Sequence, residues 1–117
     1  MRHQKKHTKL RSHPSRINAL MRNLAASIIL YEKVKTTESR AKRVKSLIEK
    51  LINIAKEDNK MLSIRKLNKI LFEENASKKL IEKIADRYKE RKSGYTRITR
   101  LKFRVGDNAP QVQIELV

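Results

Sequence analysis

Apolar residues recur along this chain in two periods, and the change between them divides it. Ile17, Leu20, Met21, Leu24 and Ile28 fall at steps of three and four, one face of a helix. Arg16, Asn18, Arg22, Asn23 and Ser27 fall on the other side. Pro14 disfavours helix at His13, and Ser15 has a side chain suited to cap the amides that follow. The β-branched run Lys33-Val34-Lys35-Thr36-Thr37 reads as a short strand, with Thr36 or Thr37 placed to cap the next helix. That helix carries a stripe of Ala41, Val44, Leu47, Ile48, Leu51 and Ile54 or Ala55. Glu57-Asp58-Asn59-Lys60 breaks the pattern, a shorter helix follows through Ile64, Leu67, Ile70 and Leu71, and a fourth carries Leu80, Ile81, Ile84 and Tyr88.

After Ser93-Gly94 the period becomes two. Tyr95, Leu101, Phe103 and Val105 share one parity, and Thr96, Arg100, Lys102 and Arg104 the other. Arg97 and Ile98 break the alternation, which predicts a bulge or a change of face near them. Gly106-Asp107-Asn108-Ala109-Pro110 is a turn by composition, and Val112, Ile114 and Leu116 then alternate with Gln113 and Glu115. The pattern predicts an α+β fold: about four helices packed with a small sheet that contains a C-terminal β-hairpin. Leu20, Leu24, Leu47, Leu51, Phe103 and Ile114 are the expected core.

Residues 1–13 show no apolar period. They read as an extended basic arm ahead of one globular domain, 14–117. Charge makes this arm the most informative part of the chain, because the first 31 residues hold no Asp or Glu and the first acid is Glu32. Arg2, Lys5, Lys6, Lys9, Arg11, Arg16 and Arg22 crowd that stretch, with His3, His7 and His13 among them. Such a segment repels itself unless a partner supplies negative charge, and nucleic acid phosphate is the commonest supplier. Arg40, Lys42, Arg43 and Lys45 form a second cluster, where they oppose the dipole of a helix N-terminus unless an anion sits nearby. Arg97, Arg100, Lys102 and Arg104 form a third. Overall, 30 Lys and Arg stand against 12 Asp and Glu, a net charge of +18, and most of the acids lie between Glu49 and Glu90.

Little else in the chain carries chemistry. Cysteine is absent, which removes disulfides, thiolate metal sites and a Cys nucleophile. The His residues sit in the arm, where nothing fixes their geometry for metal or proton transfer, and two glycines in all leave no glycine-rich phosphate loop. The expectation is no enzyme, no cofactor, no metal and no small-molecule substrate. No apolar run approaches the roughly 18 residues of a membrane span. A duplex-binding architectural protein and a polybasic membrane-surface protein are the competing classes. The first wants a recognition helix after a short turn, the second a free apolar helix face with aromatic anchors. Phosphate binding by shape along a folded RNA fits the few aromatics better.

Four stretches resemble the bacterial large-subunit ribosomal protein L-seventeen family, in order and end to end. They are Met1-Arg2-His3 with Lys9-Leu10; Arg22-Asn23-Leu24 with Glu32 to Thr37; Gly94-Tyr95-Thr96-Arg97-Ile98; and Gly106-Asp107, Ala109-Pro110 and Ile114-Glu115-Leu116-Val117. Ser93 stands where a second Gly is usual, Tyr31 where His commonly precedes the Glu, and Val105 interrupts an Arg pair. The resemblance implies a small α+β protein with a basic extension, ribosome-bound in the cytoplasm. Its partners would be large-subunit ribosomal RNA near the polypeptide exit and neighbouring ribosomal proteins, with a structural role in assembly. It adds Asn23, Tyr95 and Thr96 to the basic residues as expected RNA contacts.

Overall fold

The computed structural model describes Leu10 and residues 12–117. Helix α1 (Pro14–Tyr31) leads into strand β1 (Lys33–Thr37) and helix α2 (Glu38–Ala55). Helix α3 (Lys60–Ile70) and a last helical stretch follow, made of α4 (Glu74–Lys79), a π turn (Leu80–Ile84) and α5 (Ala85–Arg87). Strands β2 (Thr96–Phe103) and β3 (Pro110–Leu116) close the chain. The antiparallel sheet runs β1-β3-β2, so the last strand lies between the other two. Helix α2 is the hub, touching α1, α3, the π turn and all three strands. Its Ala41, Val44, Ile48, Leu51, Ile52 and Ala55 are all fully buried.

The predicted elements are present, with local corrections. His13 rather than Ser15 caps α1: its ring nitrogen accepts from the Ser15 amide at 3.4 Å, and Pro14 takes the first helical position, where no amide is needed. Leu20, Leu24 and Leu47 are only half-buried, because α1 turns Ile17, Met21, Ala25, Ile28 and Ile29 to the core and α2 turns Val44, Ile48, Leu51 and Ile52. Ile64 is 43% exposed, and α3 buries Ser63 and Leu67 instead. The expected face of β2 is reversed. Thr96 and Ile98 turn inward beside Leu116 and Ile114, and the bulge falls later than expected, between Arg100 and Phe103. Beyond it no helix covers the strand, and Leu101, Phe103 and Val105 are 44, 62 and 96% exposed. Leu10, within the stretch read as arm, packs against the core.

One carboxylate ties the two halves. Glu32 ends α1 with φ of 61°, a left-handed conformation that favours Gly, which has no side chain, and Asn. Its oxygens take two bonds from Arg87, at 2.8 and 2.9 Å, and an ion pair from Lys79 at 3.0 Å. Its carbonyl accepts from the Leu116 amide on β3. In a regular α-helix, residues eight apart point about 80° away from each other. The π turn between Lys79 and Arg87 winds less per residue and returns both to one carboxylate.

These bonds, Arg87 first and then Lys79, pull the Glu32 carboxyl down to about 2. The folded form thus gains stability above the ordinary carboxylate range and loses it as pH falls from about 4.5 toward 2. Glu32→Gln should cost about 1 kcal/mol at pH 7 once solvent screening of this partly exposed pair is allowed for. The cost should shrink toward zero near pH 2. Urea denaturation of both proteins across that range checks it, and a cost independent of pH would refute the ion-pair account.

Candidate nucleic-acid interface

Among the described residues, the basic clusters expected from the sequence reach the surface at three places, set by the fold and not by the order of the chain. At the first, the start of α1 meets the start of α2. Leu10, Ser12, Arg16, Ile17, Leu20 and Arg40 line a cleft of about 440 Å³ there, with no acid in its wall. Arg16 and Arg40 are thereby brought together across the pair of helices. Exposed His13 lies at the N-terminus of α1 beside this cleft. Arg2, His3, Lys5, Lys6, His7, Lys9 and Arg11 lie outside the described residues.

The α2 cluster is divided. At about 100° per residue, Arg40 and Arg43 fall on one flank of the buried stripe and Lys42 and Lys45 on the other. Lys42 is paired with Glu38 at 2.6 Å. Glu38 sits in the first turn, where an acid suits the helix dipole, so the charge misfit expected there is answered within the chain. Bonding to Lys42, then the Lys42 and Arg100 charges, hold the Glu38 carboxyl below its usual range.

The third place is the outer face of the sheet and the hairpin. Lys33, Glu115 and Arg97 lie side by side across the three strands, with Glu115 3.5 Å from Lys33 and 3.9 Å from Arg97. Lys35 lies beside Gln113 on the same face. Lys33 and Lys35 belong to this surface although sequence reasoning passed over them; their alternation with Val34 was the available signal. Arg100 is 84% exposed and lies 3.6 Å from Glu38. Lys102 is exposed on the hairpin. Arg104 grips Asp107 with both ends of its guanidinium, one bond at 3.0 Å. That grip and the Ala109 amide pull the Asp107 carboxyl down to about 2.

Tyr95 and Thr96 belong to the core instead. Gly94 turns the chain with φ of +70°, and the Tyr95 ring packs on Tyr88 with centroids 5.0 Å apart. The Tyr95 hydroxyl accepts from Lys56 Nζ at 3.1 Å. It donates toward Asn53 Oδ1 at 2.8 Å, with the Arg91 and Lys92 carbonyls at 3.0 Å as alternatives for its one proton. A ring so held offers no face to a base, and its contribution is to anchor the start of β2.

Arg22 and Asn23 line a separate cleft on the outer side of α1, with Tyr31 and Phe72. The Arg22 guanidinium lies 5.1 Å from the Phe72 ring centroid. Among the described residues no three His, Asp or Glu side chains gather as a metal site would require, and no helix is long and apolar enough to cross a membrane.

Residues 20–117 match the family model described as Ribosomal protein L17. The large ribosomal subunit protein bL17 of Desulforudis audaxviator is 46% identical over 99 residues, covering 85% of this chain and 88% of that one. The protein of the same name from Syntrophotalea carbinolica is 41% identical over 117 residues, all of this chain and 75% of its own. That of Hyphomonas neptunium is 41% identical over the same span, 83% of its length.

Proposed function

We propose that this chain, which belongs to the ribosomal protein L17 family, is a non-catalytic structural constituent of the large ribosomal subunit that grips ribosomal RNA through its phosphates. On this reading it supports subunit assembly near the polypeptide exit and works ribosome-bound in the cytoplasm beside other ribosomal proteins. The observation that carries the phosphate reading is the acid-free cleft where Arg16 and Arg40 meet, from helices whose other faces are committed to the core. Two guanidiniums lining one cleft, with five donors each, suit the oxygens of a phosphate. The exit-side position rests on family resemblance.

The test is sedimentation. Tagged protein from cell lysate should travel with large ribosomal subunits through a high-salt gradient. Charge reversal at both positions, Arg16→Glu with Arg40→Glu, should shift most of it to the top fractions, because each lost phosphate contact lowers affinity and each new acid repels the backbone. Parent protein that travels with DNA or vesicles would overturn the reading.

A further inference from the structure

Core packing leaves Tyr31 and Phe72 unexplained. Their rings are 74 and 71% exposed, in a chain with only five aromatic residues. Tyr31 ends α1 and Phe72 lies just past α3, and the fold brings both to one cleft of about 350 Å³. That volume lies at the low end of the roughly 300–1,000 Å³ range of small-molecule pockets. Leu30 and Ala26 give the cleft an apolar floor.

The polar groups around the rings have a definite chemistry. Arg22 lies 5.1 Å from the Phe72 centroid, over one face of the ring and within cation–π range, while the residue stays 71% exposed. The Asn23 amide, which offers both donor and acceptor, makes no hydrogen bond to the described residues. Glu73 also lines the cleft. A carboxylate there repels a phosphate within the cleft but accepts well from the N–H edge of a base. Two exposed rings, an unengaged amide, an acceptor and one cation at the margin match a splayed-out nucleobase with its flanking phosphate.

We infer that this cleft holds one unpaired RNA base bearing an exocyclic amino group, stacked on Phe72 and Tyr31, with the adjoining phosphate on Arg22. This rests on the reading of the protein as an RNA binder and adds recognition of a base to its grip on the backbone. Sequence periodicity concealed the site. Tyr31 reads as the end of an apolar stripe, and Phe72 follows Ile70-Leu71 as if it were core.

The experiment titrates the full chain at low salt with an adenosine pentanucleotide and with a pentanucleotide of equal charge whose three central residues are abasic, followed by NMR. The parent should bind the first more tightly, with shifts at the Tyr31 and Phe72 rings. Phe72→Ala should weaken the adenosine pentamer by about tenfold or more and leave the abasic one unchanged. Tyr31→Ala repeats the test on the other wall, and exposure of both side chains predicts unaltered melting. Equal affinity for the two pentamers, or equal losses on both, would overturn the base site while leaving phosphate binding intact. That result would turn the cleft toward a protein neighbour. Binding of neither pentamer would overturn the base site, while the sedimentation test decides the phosphate reading separately.

Discussion

Raising salt from about 50 to 200 mM should weaken the protein's binding to its ribosomal RNA by roughly a thousandfold or more, with a log–log slope of about −5 to −9. The basis is +18 of net charge spread over several faces, enough to engage roughly 6–10 phosphates. Not every basic residue counts equally. Arg97, Arg100 and Arg104 each lie beside an acid, Glu115, Glu38 and Asp107 respectively. Such exposed pairs are weak, so a phosphate can share or displace them, but part of the counterion release is already spent. Replacing Arg97 and Arg100 by Ala should therefore reduce the slope by about one unit or less per residue, and replacing Arg16 and Arg40 by about one unit each. Anisotropy titrations of the parent and the two double variants over a potassium chloride series would measure this. A flat dependence in the parent would end the phosphate mechanism.

Leu51→Ala should lower stability by about 3 kcal/mol, within the range for emptying a well-packed core position. Leu51 is fully buried on α2, in the one element that touches every layer of the fold, so its neighbours have little freedom to close the gap. In a domain of this size such a loss is a large share of total stability. Phe103→Ala provides the contrast, since a ring 62% exposed beyond the bulge should cost less than about 0.5 kcal/mol. Equilibrium urea unfolding separates the two. Similar costs for both would mean that the hairpin is covered in the free protein.

The contrast shows where sequence periodicity was informative. Helix α2 was plain because one stripe, Ala41 to Ala55, met core along its whole length. Strand β3 was plain because Val112 and Ile114 alternate with polar residues on a strand paired on both sides. Strand β2 misled because Leu101, Phe103 and Val105 alternate as core residues do, yet the helix layer ends before reaching them. Periodicity reports which residues share a face; it does not report what lies opposite. The π turn leaves no such mark, since its use is to aim Lys79 and Arg87 at Glu32, far away in sequence. The basic residues of the candidate interface can be named from the sequence one by one. The meeting of Arg16 with Arg40, and of Tyr31 with Phe72, is not legible there, because each pair is made by helix packing.

The uncovered hairpin also bears on how the protein behaves when stripped of RNA. Its tip shows apolar side chains to water, and what keeps one copy from sticking to another is mutual repulsion at +18. That repulsion reaches about 10 Å at 0.1 M salt and only about 3 Å at 1 M. Salt high enough to weaken a phosphate grip should therefore also remove its colloidal protection and let hairpin tips meet. The isolated chain should face two adhesions, to any polyanion in dilute buffer and to itself in concentrated salt.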